Sequence, residues 1–107
     1  MAPLDHVIAL SAALFALGAV GVFTRRNLVV ILMCIELMLN GVVLAFVAFN
    51  RAWPAGIAGE SRLDGQVFAL VIIAVAAAEL AVGLGIVIAL VRNRASLDVE
   101  DVSLLKW

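Results

Sequence analysis

The sequence predicts an all-α integral membrane protein, a bundle of three spanning helices, and three observations carry that expectation. Hydrophobic residues make up 66% of the chain and the mean hydropathy is +1.24, far above the roughly 45–50% apolar content of soluble domains. Three long stretches are almost free of charge, and all seven Lys and Arg residues lie outside them. A hydrocarbon core about 30 Å thick is crossed by about 20 helical residues, so 107 residues accommodate three spans and their connectors. Residues 1–107 are therefore expected to form a single membrane domain.

The first span is expected over about residues 3–23. Val7 to Thr24 carries no charge, and Pro3 suits a first helical turn, where an N–H has no intrahelical partner anyway. The stretch has neither a basic leader nor a convincing cleavage site, so it reads as a retained span. Ala9 with Ala13, Ala12 with Ala16, and Gly18 with Gly21 set small side chains at helical spacings, which lets lipid-embedded helices approach closely. Thr24-Arg25-Arg26-Asn27 breaks the apolar run in a tight turn. The second span is expected over about residues 28–50, with Glu36 its only charge. Arg51 to Asp64 then forms a connector marked by Pro54, Gly56 and Gly59, with Trp53 suited to the membrane interface. The third span, about residues 65–92, has Glu79 alone charged in its interior. Residues 93–107 form a polar tail that either stays solvated or docks on a neighbouring surface.

Formal net charge is −1 and no dense basic block exists, so nothing suggests a nucleic-acid surface. Cys34 is the only cysteine and His6 the only histidine. A disulfide, an iron–sulfur cluster or bis-histidine haem ligation within the chain is thereby excluded, and no metal or cofactor is expected in it. Cys34 reads as a small packing residue and His6 as a wet terminal one. The first turn and the tail hold Arg25, Arg26, Arg92, Arg94 and Lys106, against Arg51 and Arg62 on the other side. The positive-inside rule then places the first turn and the C-terminus in the cytoplasm, and the N-terminus and long connector outside.

An ionised side chain at the bilayer centre costs about 2.5–3.5 kcal/mol on insertion scales, so Glu36 and Glu79 need a compensating reason. They are expected to face protein or water. Counted from the cytoplasmic ends, they lie roughly 12 and 18 Å deep at about 1.5 Å per residue, near one level and about 6 Å apart in height. Waters or a partner's side chain can bridge such a gap. Two carboxyl groups that take up and release protons would make a relay. The plainer alternative is that each only hydrogen-bonds across a helix interface or pairs with a neighbour's lysine. Asn40, one turn beyond Glu36, is a supporting candidate for which an interhelical hydrogen bond is the simpler role. Met33 and Gly41 flank that stripe, which suggests a face turned toward protein. On the third helix Ala76, Glu79 and Gly83 form one stripe beside Ala77, Ala81 and Gly85, a groove that another helix can enter. Arg25 and Arg26 could stabilise a nearby acidic loop or modulate proton entry, or serve only as topology determinants.

Three functional classes compete: a proton-conducting subunit of a larger pump, a self-contained small transporter, and a membrane scaffold. Small multidrug transporters use four helices with the acid in the first, and the rotor subunit of ATP synthases is a two-helix hairpin with one carboxylate. Neither layout fits three spans with charges in the second and third. A scaffold leaves two costly glutamates unexplained.

The strings Thr24-Arg-Arg-Asn-Leu28, Met33-Cys-Ile-Glu-Leu-Met-Leu-Asn40, Leu63-Asp-Gly-Gln-Val67 and Ala76-Ala-Ala-Glu-Leu-Ala-Val-Gly-Leu84 narrow the choice. In order and spacing they resemble the subunit K family of proton-pumping NADH-quinone oxidoreductase, respiratory complex I, called 4L in mitochondria. The resemblance runs from about Leu14 to Trp107. It implies that Glu36 and Glu79 match the family's two intramembrane glutamates, on the polar axis between the quinone-reaction region and the antiporter-like subunits. It also implies a hetero-oligomer in the bacterial inner membrane, with J, A and N subunits as neighbours. Flavin, iron–sulfur clusters and quinone then belong to other chains, and this chain is a non-redox subunit without a complete active site.

Two departures from the pattern stand out. Val43 occupies a position where many relatives carry asparagine, which makes that part of the second helix less polar, and the connector from Arg51 to Arg62 is longer than in compact bacterial members. The second reading is the homologous small subunit of multisubunit sodium/proton antiporters or membrane-bound hydrogenases, similar in length and layout. The glutamate-bearing Met33 to Asn40 string favours the oxidoreductase.

Overall fold

A computed structural model describes residues 2–53, 63–94 and 97–101. The expectations for Pro54, Gly56, Gly59 and Arg62 of the connector, and for Lys106, fall outside the described residues. Three α-helices follow one another, α1 (Leu4–Thr24), α2 (Leu28–Ala52) and α3 (Asp64–Arg94), and a 3-10 turn covers Val99–Asp101. All three helices are long and apolar enough to cross a membrane. At about 1.5 Å per residue, α3 extends well beyond a hydrocarbon core about 30 Å thick.

α2 is the middle helix: α1 and α3 each pack along it and scarcely touch each other. Small residues bring α1 against α2. Ser11 and Gly18 are buried on α1, and Gly41 and Ala48 on α2. A Cβ at Gly18 would fall 2.6 Å from the carbonyl oxygen of Cys34 and collide with Met38, while one at Gly41 would lie 2.9 Å from the carbonyl oxygen of Ser11. At Gly21 the obstacle would be the Cys34 thiol. The Ser11 hydroxyl donates a buried hydrogen bond of 2.6 Å to the Gly41 carbonyl, closing the seam with one polar contact. Of the small pairs in the first span, Gly18 and Gly21 thus serve close approach, whereas Ala9 and Ala13 stay exposed.

The α2–α3 seam is built the same way. Ala69, Ala76 and Val87 are the buried residues of α3, seven and then eleven positions apart, the spacing at which one helical stripe recurs. A Cβ at Gly65 would sit 2.6 Å from the Phe46 carbonyl oxygen, and one at Gly83 would sit 2.8 Å from Leu32 Cδ2. Phe46 and Phe68 stack across the seam with centroids 5.9 Å apart.

Among the described residues no side chain larger than valine is buried, and large apolar ones such as Phe23, 86% exposed, and Leu70, 67% exposed, cover the outside. A soluble monomer would not tolerate apolar patches of that extent. Lipid and neighbouring helices do, because hydrocarbon tails are as apolar as the side chains that meet them. The chain is a multi-pass membrane protein.

The turn between α1 and α2 and the tail meet at one end of the bundle. Asn27 caps α2, its side-chain oxygen accepting from the N–H groups of Val29 (2.9 Å) and Val30 (3.4 Å). Asn27 and Asp98 form an antiparallel β-bridge. The Leu28 N–H donates to the Leu97 carbonyl, and the Val99 N–H to the Arg26 carbonyl, each at 2.9 Å. The described part of the tail therefore docks on the chain's own first turn.

Candidate functional site

Two glutamates in the middle of apolar helices make up the site, and the seam between α2 and α3 sets their relative height. Gly65 lies against Asn50 near one end and Gly83 against Leu32 toward the other. One turn from Leu32 along α2 is Glu36, and one turn from Gly83 in the same direction through the membrane is Glu79. The antiparallel register therefore sets the backbones of Glu36 and Glu79 level, closer than the offset of about 6 Å obtained by counting from the helix ends.

Level residues need not face each other. Successive residues turn by about 100°, so Glu36 stands about 40° round α2 from Leu32, and Glu79 about 40° round α3 from Gly83. Because the helices run in opposite directions, these two rotations have the same hand when viewed from one end. The two residues are consequently turned to opposite sides of the line that joins Leu32 and Gly83. Glu36 is half-buried and Glu79 exposed in the isolated chain. Among the described residues neither has a hydrogen-bond or ion-pair partner.

Asn40 is exposed one turn from Glu36, on an open strip that Met33 shares. Gly41 does not belong to that strip: it is buried against α1. The groove expected around Glu79 also resolves into two surfaces. Gly83 receives Leu32 of the same chain, whereas Gly85 has open space and Ala77 and Ala81 are exposed.

Between the glutamates and the end holding the first turn lies an open apolar groove of about 290 Å3, its walls formed by residues such as Leu28, Leu32, Ile86, Leu90 and Val99. Its lining offers a water none of the two to four polar partners it needs. Nothing in its lining carries a proton toward that end of the seam. A larger apolar groove of about 580 Å3 runs between α1 and α2 past Ser11, Phe15, Phe46 and Phe49.

The two arginines of the first turn have different surroundings. Arg26 forms an exposed ion pair with Glu100 at 2.8 Å, the acidic segment being the chain's own tail. Arg25 is exposed, and its backbone N–H closes α1 on the Gly21 carbonyl at 3.0 Å. Both arginines lie at a helix end, away from the mid-span glutamates. Among the described residues no three His, Cys, Asp or Glu side chains gather in a way that could hold a metal.

Residue reading passed over Ser11, Asn27, Asn50 and Gly65. Asn27 had a usable signal, an asparagine directly before an apolar helical run. Asn50 had none: its side-chain oxygen accepts the Gly65 N–H at 2.7 Å, a contact between residues fifteen apart that no local spacing announces.

Comparison with known proteins accounts for nearly the whole chain. The family model for NADH-ubiquinone/plastoquinone oxidoreductase chain 4L matches residues 6–107. NADH-quinone oxidoreductase subunit K 2 of Geotalea uraniireducens is 49% identical over 107 residues, 100% of both chains. Subunit K 1 of Koribacter versatilis is 53% identical over 102 residues, covering 95% of this chain and 93% of the relative. Subunit K of Thermomicrobium roseum is 52% identical over 101 residues, 94% and 92% of the two chains. A three-span chain with this coverage and identity belongs to the family of NADH-quinone oxidoreductase chain 4L, or subunit K, a membrane subunit of that multisubunit enzyme.

Proposed function

We propose that this subunit passes protonation changes sideways through the membrane arm of NADH-quinone oxidoreductase, from one neighbouring subunit to another, by way of Glu36 and Glu79. The reading is supported by their placement: two glutamates whose backbones are level in the membrane, turned to opposite sides of the α2–α3 contact line, without partners among the described residues. Charge left bare in lipid is costly at both positions, so the remaining contacts fall to other chains. Each carboxyl group would accept a proton on one flank and give it up toward the other. The Asn40 amide, one turn from Glu36, can donate a hydrogen bond to whichever group enters there.

The apolar lining of the groove on the first-turn side favours lateral passage over a path through the seam to that surface. Neighbours of J and A type would cover one flank and an N-type subunit the other. Electron transfer, with its flavin, iron–sulfur clusters and quinone, would remain in other chains, and no complete active site would form in this one. The first turn and tail would lie in the cytoplasm of a bacterial cell and the N-terminus outside its inner membrane, in keeping with the arginines gathered where turn and tail meet.

Replacing Glu36 or Glu79 by glutamine preserves size and removes titration. Either change should lower proton pumping and coupled quinone reduction by on the order of a hundredfold, the usual contribution of a positioned acid–base group, while assembly persists. Pumping at the wild-type rate by a fully assembled Glu36→Gln/Glu79→Gln complex would refute the proposal.

A further inference from the structure

Near the end of α2 opposite the first turn, the two backbones of the glutamate-bearing pair come into direct contact. The Asn50 side-chain oxygen, partly buried, accepts the Gly65 N–H at 2.7 Å. Gly65 is there for lack of a Cβ: one would meet the Phe46 carbonyl oxygen at 2.6 Å and Asn50 Cβ at 2.7 Å, and neither is a flexible side-chain end that could move aside. The Phe46–Phe68 stack lies directly beside this contact.

Elsewhere the seam is apolar: Gly83 receives Leu32 toward the other end, and the buried α3 residues are Ala69, Ala76 and Val87, none of which makes a directional contact. A slide of one turn moves a residue by about 5.4 Å. Apolar packing in lipid gives such a slide little resistance, since tails and side chains are alike. A directional hydrogen bond between a side chain and the backbone of the facing helix, at a site that admits only glycine, does resist it.

We propose that Asn50 and Gly65 are positioning residues, pinning α3 to α2 in the register that holds Glu79 level with Glu36. This rests on the proposed role of the two glutamates, but the register can be read independently of proton transfer. The count that sets Leu32 against Gly83 and Asn50 against Gly65 also sets Leu39 against the buried Ala76.

The test places cysteines at Leu39 and Ala76 in a Cys34→Ala background and measures their oxidative cross-linking in membranes that contain the assembled complex. Cysteines at Leu39 and Ile72, one turn out of register, serve as the comparison. With Asn50 present the first pair should cross-link and the second should not. Asn50→Leu removes the acceptor at similar size and should change the ratio of the two by about threefold, the effect of one average interhelical hydrogen bond in a membrane on a two-state equilibrium. Asn50→Asp retains an acceptor oxygen and should restore the ratio. In the purified complex with native residues at 39 and 76, Asn50→Leu should lower the number of protons moved per NADH oxidised, and Asn50→Asp should recover it. That quotient is independent of how much complex assembles.

Wild-type cross-linking with Asn50→Leu and with Gly65→Ala would overturn the pin. A shifted register with an unchanged proton quotient would overturn the positioning role. Normal pumping by the glutamine variants of Glu36 and Glu79 would instead overturn the functional reading and leave the register result standing.

Discussion

Ser11 and Gly18 face the same seam yet should respond very differently to substitution. Ser11→Ala removes one hydrogen bond to the Gly41 carbonyl, and interhelical hydrogen bonds of this kind average about 0.6 kcal/mol in membranes. Gly18→Ala drives a Cβ against the backbone oxygen of Cys34, an overpacking that typically costs about 1–3 kcal/mol. Thermal stability of the purified complex should therefore fall little for Ser11→Ala and clearly for Gly18→Ala. Equal losses would show that the two contacts do not differ in the way described. The contrast also marks what single residues reveal. Glu36 and Glu79 are conspicuous in the sequence because charge inside an apolar run is rare, whereas Ser11 is one hydroxyl among alanines, and its importance depends on which carbonyl happens to face it.

At the scale of helices, the lengths and types of the three spans follow from hydropathy and from the scarcity of charge, because lipid admits little besides a helix with its backbone hydrogen bonds satisfied internally. Which helix lies in the middle does not follow. Alanines and glycines occur on several faces of each span, so stripes of small residues in α3 indicate a groove without naming its occupant. For Gly83 the occupant is Leu32 of α2, at 2.8 Å from where a Cβ would stand. Gly83→Leu should consequently disturb the α2–α3 pair and reduce assembled complex, and a smaller side chain through Leu32→Ala should recover part of the loss. The amount of intact complex in native gels reads both variants. Failure of Leu32→Ala to help at all would mean that Gly83 meets some other helix. Depth shows the same limit: counting from helix ends left the glutamates about 6 Å apart in height, since fraying and unequal overhang enter the count, while the contacts of Gly83 and Gly65 define the register from within the seam.

Taken whole, the subunit is an elongated bundle of 60 × 23 × 23 Å with an apolar exterior and polar groups at its ends. The proposed orientation can be checked on the intact molecule. Glu100→Cys in a Cys34→Ala background should react with a membrane-impermeant thiol reagent in inside-out vesicles and stay protected in intact cells. Labelling in intact cells would invert the assignment. Loss of the Arg26–Glu100 ion pair in this variant should not confuse the result, because both side chains are more than half exposed and such pairs contribute at most about 1 kcal/mol. Membership of a multisubunit enzyme explains why the isolated chain buries so little: its apolar exterior is left to lipid and to other subunits, and a single sequence carries no record of the shapes that fit there.

The small ladder between Asn27 and Asp98 has a bearing on biogenesis. Its two residues are separated by two complete membrane crossings, so they can meet only when the nascent chain has been threaded through the translocon and back. A molecule whose third helix was left unthreaded, or laid flat on the surface, would strand the tail away from the waiting Arg26 carbonyl and Leu28 amide. Those two backbone groups can thus be paired by the tail only in molecules whose second and third helices have both crossed.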